Sequence, residues 1–371
     1  TFPIQGQLVL DKKEISILGI RVNFLVDEDF SSTGDGSFLM VSEEDQCLGY
    51  TIDPPPHNRS YFESHLKAID NYFRSVSKGS FGVDLENSLI LPYEINSSYE
   101  LSGTIASYYP YDDSLGQDLG IAQFFKESIE LAYSLDQPKF NNFDIIVIFH
   151  AGIGQDFDLP FIDPTQTDIP SMYIDSEFLM EQINSPGIEL PDLSIVTSGI
   201  ILPETQNHLL YSVSSEIFSG ISNPCDYQFG LTGTFALLMG KAIGLPSLWN
   251  TKTGESGVGI FALMDQGSNN GRGVIPAPPD PWTRIWAGWE NAKDVSTGDM
   301  VNLNSRDLFK NEIAKVVISS DEYFLIENRN NWIRPRVDID SIRWSIDDLG
   351  YIQAMLDSSN LLIDDETGVV I

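Results

Sequence analysis

Apolar and polar residues alternate near the start of the chain in a way that is typical of a β-strand. Across residues 14–26 the apolar side chains fall mostly at every second position, which predicts a strand with one half-buried face. Residues 143–149 form an almost continuous apolar run rich in β-branched and aromatic side chains. Such a run predicts a strand that is buried on both faces, as in the interior of a covered sheet.

Helical patterns alternate with these strands. After the Pro-rich turn at residues 54–56, Ser60 and Glu63 have the spacing of a capping box, which predicts that a helix starts at Ser60. Three further segments have apolar residues at helical spacing and are predicted helices: residues 119–135, 172–183 and 231–243. Because helices alternate with buried strands, we expect an α/β core.

The pattern changes after Trp289, where short alternating segments predict strands at residues 314–318 and 323–326. We therefore expect two parts, a domain of residues 1–295 and a β-rich extension of residues 296–371. Residues 367–371 have strand character, and we expect the natural polypeptide to continue beyond them.

The charge of the chain argues against two classes of partner. The 371 residues include 21 Lys and Arg against 54 Asp and Glu, a formal net charge of −33. Such a field repels nucleic-acid phosphates and anionic lipid surfaces. No apolar run reaches the roughly 18 residues that a membrane-spanning helix needs. We therefore expect a protein or peptide partner, possible self-assembly included, and neither nucleic acid nor a membrane span.

Cys47 and Cys225 are the only cysteines. Two cysteines so far apart in sequence do not make a zinc knuckle, and the pair fits either one disulfide or two inert thiols. A disulfide would require an oxidising compartment. The sequence leaves both possibilities open.

Six segments of the chain resemble the secreted zinc metalloproteases typified by bacterial immune inhibitor A, and they occur in the family's order. The segments are residues 53–62, 144–155, 244–251, 257–264, 279–282 and 322–329. The resemblance covers most of residues 15–330. It implies a zincin-like α+β fold with a mixed sheet and an active-site-type helix, and a secreted or cell-surface location.

The family's zinc-binding helix reads H-E-x-x-H-x-x-G-x-x-D, and the resemblance aligns its four chemical positions with Leu237, Leu238, Lys241 and Ser247. In that pattern two histidines and an acid bind the metal, and the glutamate activates its bound water. Leucine has no lone pair to donate, and a lysine ammonium repels a dication. The resemblance therefore implies a degenerate member without zinc and without catalytic residues.

The histidines do not rebuild such a site in the sequence. None of His57, His65, His150 and His208 is paired with another at one-turn spacing. We interpret His150, at the end of the buried strand, as a core histidine, and His57 and His65 as residues at and on a helix surface, respectively.

Calcium is the ion for which the sequence offers candidate ligands. Asp156, Asp158, Asp163 and Asp168 lie in a loop shaped by Gly and Pro at residues 151–170. Hard cations bind several carboxylate and carbonyl oxygens in loops of this kind, although the spacing is not that of an EF-hand. The family resemblance also implies calcium binding.

The resulting hypothesis is a secreted or surface-displayed metalloprotease-like domain without proteolytic activity that acts in binding or assembly. Trp249, Trp282 and Trp286 are candidate binding residues, because aromatic side chains of an inherited cleft suit a peptide or another subunit. Two alternatives stay open. One is an active metallopeptidase with a relocated metal site, and the other is a calcium-dependent subunit of a surface layer or filament.

Overall fold

The computed structural model describes residues 12–41, 47, 51–111, 113–156, 164–211, 224–306, 309–319 and 322–329, and the backbone of four short strands after them. The chain forms two compact units. The sheet unit comprises Glu14–Asn71 and Gly82–Ala242, and the C-terminal unit comprises Thr1–Lys13, Tyr72–Phe81 and Ile243–Ile371. These units divide the chain differently from the predicted ranges 1–295 and 296–371, so that division into domains stays a prediction.

The secondary structure is mixed, as the sequence predicted. The strands of the sheet unit are β1 (Glu14–Ile15), β2 (Ile17–Asn23), β3 (Gly82–Val83), β4 (Leu89–Leu91), β5 (Tyr99–Glu100), β6 (Ile145–Ile153), β7 (Met172–Ile174), β8 (Ile188–Glu189), β9 (Ile195–Val196) and β10 (Gly199–Thr205). Its helices are α1 (Arg59–Val76, of which the last residues belong to the C-terminal unit), α2 (Ile105–Tyr108), α3 (Ser114–Asp136), α4 (Ser176–Ile183) and α5 (Leu231–Ala242). The C-terminal unit contains α6 (Pro281–Trp286), β11 (Ala292–Val295), β12 (Ile313–Val317), β13 (Tyr323–Glu327), β14 (Trp332–Arg334), β15 (Val337–Asp338), β16 (Trp344–Ile346) and β17 (Ile352–Ala354).

One mixed sheet organises the sheet unit. Its strand order is β4-β2-β6-β10-β7, and β5 also pairs with β2. The strands from β4 to β10 are parallel to their neighbours, whereas β7 is antiparallel to β10. Every residue of β6 is buried, which confirms the prediction of a strand covered on both faces.

The prediction of a half-buried first strand is wrong. Strand β2 lies between β4 and β6, and its residues are buried as far as Val22. Two positions explain the apparent polar face. Gly19 lies where an added Cβ would approach Ile90 to 2.3 Å, and Arg21 is buried with its guanidinium donating to the carbonyl groups of residues 92, 94 and 95.

Helix α1 begins differently from the prediction. Asn58 caps it, since the Asn58 side-chain oxygen accepts from the backbone N–H groups of Ser60 and Tyr61 at 3.0 and 3.4 Å. Glu63 pairs with Arg59 at 2.8 Å instead of capping the helix. The predicted capping box is therefore wrong, because an amide side chain two residues earlier already supplies the cap.

The other helix predictions have mixed outcomes. The helices predicted at residues 119–135 and 231–243 are confirmed as α3 and α5. The segment predicted as a helix at residues 172–183 starts with strand β7, and only α4 is helical. The Asp175 side chain caps α4 by accepting from the Phe178 N–H at 2.9 Å, and this cap separates the strand from the helix.

Both faces of the sheet are covered by helices. Phe149 of β6 contacts Phe62 of α1 and Phe235 of α5, with ring centroids 4.5 and 5.8 Å apart. The next residue, His150, points to the opposite face, as successive strand residues do, and its ring lies 5.9 Å from that of Phe124 on α3. The core of the unit therefore lies on both sides of β6.

His150 is buried, which confirms its interpretation as a core histidine. Burial between aromatic rings lowers its pKa to about 4, and its Nδ1 lies 2.8 Å from the Ala151 carbonyl oxygen. The folded protein therefore holds a neutral imidazole that donates from Nδ1.

Cys47 and Cys225 form a disulfide across a sequence separation of 178 residues. The bond joins the segment before α1 to the segment before α5. Of the two possibilities that the sequence left open, one disulfide or two inert thiols, the structure has the disulfide.

A buried ionic cluster holds the C-terminal unit. Arg284 on α6 donates to the carboxylates of Glu290 and Glu327 and, at 2.5 Å, to the Pro279 carbonyl oxygen. Glu327 belongs to β13, the edge strand of a sheet of order β11-β12-β13, so the cluster ties α6 to that sheet. Strands β12 and β13 confirm the predictions at residues 314–318 and 323–326. No helix within the described ranges is long and apolar enough to cross a membrane.

The disulfide gives a first testable prediction. Replacing Cys47 and Cys225 by Ser is expected to lower the free energy of unfolding by about 5 kcal/mol, because a bridge over so long a loop restricts the unfolded chain. Urea unfolding of the variant and of the wild type measures the difference. Wild-type protein with its disulfide reduced should match the variant. An unchanged urea midpoint would contradict the expectation.

His150 gives a second prediction. A histidine whose pKa falls from about 6.5 unfolded to about 4 folded destabilises the fold as the pH drops through this range, because the unfolded chain binds the proton more readily. Between pH 7 and pH 4 the free energy of unfolding is expected to fall by about 3 kcal/mol for this reason. The variant His150→Leu should lack this part of the acid destabilisation in urea unfolding at each pH. Equal acid slopes for the two proteins would refute it.

Candidate functional site

Helix α5 carries three of the four positions that the resemblance assigns to zinc chemistry. Leu238 is buried on the side that packs on the sheet, whereas Leu237 and Lys241, one turn apart, are half-buried. Ser247 follows the helix, in the C-terminal unit. The four side chains offer two aliphatic groups, an ammonium and a hydroxyl.

These side chains do not fit a zinc ion. A zinc site needs imidazole, thiolate or carboxylate ligands, and α5 offers none of them between Leu231 and Ala242. Within the part of the chain that the structure describes, no three His, Cys, Asp or Glu side chains are grouped so that they could hold a metal. We therefore derive no catalytic step through a metal.

Asp156, a predicted calcium ligand, crosslinks its loop within the sheet unit. Its carboxylate accepts from the Ser171 backbone N–H at 2.9 Å, from the Ser171 hydroxyl at 2.6 Å and from the Gln206 amide. Burial raises the pKa of Asp156, although these hydrogen bonds lower it. Both carboxylate oxygens thus have protein donors.

Asp168 has a similar role at another position. Its two oxygens accept from the Thr33 backbone N–H at 2.7 Å and from the Thr33 hydroxyl at 2.5 Å. The other two predicted calcium ligands, Asp158 and Asp163, lie outside the described residues. Calcium binding by this loop stays a prediction.

Glu204 is the centre of a buried polar cluster that the sequence reasoning missed. It stands at the carboxyl end of β10 with a side-chain exposure of 0%. Its carboxylate accepts from four groups: the Leu39 N–H at 2.8 Å, the Gly152 N–H at 2.7 Å, the Tyr211 hydroxyl at 2.8 Å and His57 at 2.5 Å. A signal was present in the sequence, since an acid directly follows the apolar run of residues 199–203.

His57 is held by acceptors at both ring nitrogens. Nδ1 lies 2.5 Å from the Glu204 carboxylate, and Nε2 lies 2.8 Å from the Asp53 carbonyl oxygen. Burial lowers the pKa of His57, but the Glu204 charge, the hydrogen bonds to Glu204 and to the Asp53 carbonyl oxygen, and the Asp53 charge together raise it more, so that the pKa lies above its ordinary value. Since both partners are acceptors, the ring fits them best as an imidazolium that donates twice.

His57 and His65 are both buried, so their interpretation as helix-surface residues is wrong. His65 lies on the first turns of α1 with its Nε2 3.8 Å from the Asp53 carboxylate, and burial lowers its pKa. The α1 residue Tyr61 stacks on His57 and donates to the Glu204 carbonyl oxygen at 2.7 Å. His57 and His65 thus point inward, because the cluster supplies partners for their rings.

Asp53 links this cluster to helix α5. One oxygen of its carboxylate accepts from the Leu231 N–H at 2.9 Å and from the Thr205 hydroxyl at 3.2 Å. Leu231 is the first residue of α5, where backbone N–H groups lack helical partners. Asp53 therefore fixes the start of α5.

The candidate binding tryptophans lie in the C-terminal unit. Trp282 and Trp286, one turn apart on α6, stack with ring centroids 5.8 Å apart and planes inclined by 11°. Trp249 pairs its backbone with Ser256 in an antiparallel bridge. The structure thus brings Trp282 and Trp286 together, and all three tryptophans are half-buried.

Strand β7 provides a second candidate binding feature, which the sequence reasoning took for part of a helix. It forms one edge of the mixed sheet, and none of the described strands pairs with its outer side. Met172 and Tyr173 are half-buried there. An edge strand offers a row of backbone donors and acceptors to an extended polypeptide.

The cluster around Glu204 gives a third prediction. Glu204→Gln should lower the free energy of unfolding by about 3–5 kcal/mol near pH 6, because the buried imidazolium loses its counter-charge. A raised histidine pKa stabilises the fold below about pH 6.5, and this stabilisation is lost as the pH rises through the folded-state pKa. The wild type should therefore lose stability from pH 6.5 to 9 in urea unfolding, and Glu204→Gln should not.

The exposed pair Arg59–Glu63 provides the control. Glu63→Gln removes a carboxylate that is 37% exposed, and such a pair contributes less than about 1 kcal/mol. This variant should keep the wild-type dependence on pH. A wild type with constant stability between pH 6.5 and 9 would contradict the imidazolium assignment.

The chain matches no protein-family model and no curated protein sequence.

Proposed function

We propose that this chain is a metalloprotease-like domain, secreted or displayed at a cell surface, that binds an extended polypeptide without cleaving it. The observation that carries the proposal is the composition of α5. At its three aligned positions the helix has Leu237, Leu238 and Lys241. None of these side chains binds zinc or activates water as a base.

The fold supports a relationship to zincin-like proteases. A mixed sheet with one antiparallel edge strand packs against helix α5, and such a sheet with such a helix is what the resemblance implies. The disulfide between Cys47 and Cys225 supports an oxidising location.

Binding is proposed at the outer edge of β7. A polypeptide added there would pair its backbone with that of Met172 to Ile174, and side-chain contacts would supply selectivity. The net charge of −33 favours segments with basic residues. Trp249, Trp282 and Trp286, in the C-terminal unit, remain separate candidate binding residues.

Restoring the family's ligands gives the fourth prediction. The purified wild type is expected to contain no stoichiometric zinc and not to hydrolyse denatured casein. A variant with Leu237→His, Leu238→Glu, Lys241→His and Ser247→Asp is expected to bind one zinc per chain, because the chain would then carry the two histidines and the acid that the family's motif uses as ligands. Metal analysis after dialysis against zinc measures the zinc content of both proteins, and a casein digest measures hydrolysis.

The matched control keeps the metal ligands and omits the base. The triple variant Leu237→His, Lys241→His and Ser247→Asp should bind zinc and stay inactive. A wild type with stoichiometric zinc and casein hydrolysis would overturn the proposal. A quadruple variant that folds but binds no zinc would refute the alignment of these positions with the family's motif.

The same denatured casein serves as the probe for binding. We expect Met172→Lys to weaken casein binding by about tenfold, since a lysine on an edge strand opposes the addition of another strand. Leu193→Lys, which replaces a leucine that is 90% exposed in the same unit, is the control and should bind as the wild type does. Equal binding by the wild type and Met172→Lys would exclude β7 as the binding edge.

A further inference from the structure

The loop that follows β2 in the sheet unit carries three exposed apolar side chains. We call residues 24–36 the Phe30 loop. Phe30, near its middle, is 91% exposed, and Leu25 and Val26, near its start, are 48% and 57% exposed. Single exposed apolar residues are common on any protein, whereas a group of them is typical of an interaction site. The group in this loop therefore indicates a contact surface.

Hydrogen bonds hold the Phe30 loop in place on both sides of Phe30. At its base, the Phe24 N–H donates to the Gly36 carbonyl oxygen at 2.8 Å. Beyond Phe30, the Thr33 backbone N–H and hydroxyl donate to the Asp168 carboxylate at 2.7 and 2.5 Å. Because the loop is already ordered, a partner that contacts Phe30 does not have to overcome the entropy of ordering it.

The Phe30 loop reaches from β2 to the segment that leads into β7. Strands β2, β6 and β10 are parallel to one another, and β7 is antiparallel to β10, so β7 begins at the end of the sheet where the other three finish. A Cβ added to Gly152, near the end of β6, would lie 3.1 Å from the Thr33 carbonyl oxygen. The Ser31 carbonyl oxygen accepts from the Thr167 N–H at 2.9 Å. Thr167 lies five residues before Met172, which is at most about 17 Å of extended chain.

Acidic side chains precede Phe30 in the loop. They are Asp27, Glu28 and Asp29, of which Glu28 and Asp29 are exposed. Hydrogen bonds from Ser31 lower the pKa of Asp29, so its carboxylate is charged at neutral pH. Carboxylates beside an exposed aromatic ring complement a polypeptide that combines basic with apolar side chains.

We propose that the polypeptide bound at the edge of β7 continues over the Phe30 loop, which selects segments that combine lysine or arginine with apolar residues. This inference rests on the proposed function, because it extends the same binding site beyond β7. Phe30 contacts the apolar side chains of the segment, and Glu28 and Asp29 pair with its basic ones. About eight extended residues span the distance from Met172 to Phe30, at about 3.3 Å per residue.

The charge of the chain argues against a second copy as the occupant of this surface. A second copy carries the same net charge of −33 and the same acidic residues beside Phe30. Repulsion between like charges opposes such a contact. A basic extended polypeptide is attracted instead, and the edge of β7 offers its backbone a partner.

Two synthetic peptides test the proposal on the full chain. Both contain a central segment of alternating Val and Thr that can pair with β7. Both also carry flanks of about six residues at each end, about 20 Å of extended chain, so that either orientation on the strand is tested. The flanks alternate Lys and Leu in one peptide, and Lys and Ser in the other. Fluorescence anisotropy of the labelled peptides measures the dissociation constants.

The two peptides separate the apolar contact from the charge. Phe30→Ala is expected to weaken binding of the Lys-Leu peptide by about tenfold, because the burial of Phe30 against leucine is lost. The same variant should change binding of the Lys-Ser peptide by less than about twofold. Leu85→Ala is the matched control, since Leu85 is 38% exposed and precedes β4, at the opposite end of the sheet. It should leave the binding of both peptides unchanged.

A charge reversal tests the acidic part of the loop. Glu28→Lys is expected to weaken binding of both peptides by about fivefold at low salt, as a repulsive contact replaces an exposed ion pair. The effect should disappear near 1 M salt, where exposed charges are screened. Glu86→Lys makes the same charge change at an exposed residue next to Leu85 and should weaken binding by less than about twofold.

Met172→Lys separates a failure of this proposal from a failure of the proposed function. If Met172→Lys weakens both peptides but Phe30→Ala and Glu28→Lys weaken neither, binding at β7 stands and the role of the Phe30 loop is refuted. A wild type that binds neither peptide would overturn both. Binding that depends on Phe30 but not on Met172 would refute the continuous site. A wild-type dimer that Phe30→Ala dissociates would assign the loop to self-association.

Discussion

The buried carboxylate of Glu204 is the constraint on which the sheet unit depends. Its hydrogen bonds come from four separate parts of the chain, at Leu39, His57, Gly152 and Tyr211. An ionised group without partners at this depth would cost several kcal/mol, so these segments must come together when the chain folds. The position of His57 then sets that of Asp53, because the His57 ring contacts the Asp53 carbonyl oxygen. Asp53 in turn fixes the first residue of α5 through the Leu231 N–H.

Helix α5 is therefore held in place by contacts that lie away from Leu237 and Lys241. The residues that place α5 are in the Glu204 cluster and in the core, where Phe235 packs on Phe149. None of these contacts requires a metal. The half-buried side chains of Leu237 and Lys241 take no part in these interactions, and Leu238 adds apolar burial. In the proposed function, the domain keeps a framework for binding after the loss of catalysis.

The sequence correctly predicted those strands and helices that are recognised from the pattern of neighbouring residues alone. The run at residues 143–149 and the helical spacing of α3 and α5 rest on side-chain periodicity, which the folded chain keeps. The wrong predictions concern polar side chains whose hydrogen-bond partners are distant in sequence. Arg21 looks like a solvent-facing residue, but carbonyl groups of a distant loop accept its hydrogen bonds. His57 and His65 look like residues at and on the surface of a helix, and acceptors from Glu204 and Asp53 allow them to be buried. The disulfide partners were identified as candidates, yet only the fold shows that they meet.

Crystals grown with excess zinc and measured at the zinc absorption edge would test the central claim most directly. The account predicts no anomalous peak within bonding distance of Leu237, Leu238 or Lys241, because their side chains offer no ligand at neutral pH. An ordered peak beside α5, bound by carboxylate or imidazole groups from other parts of the chain, would contradict it.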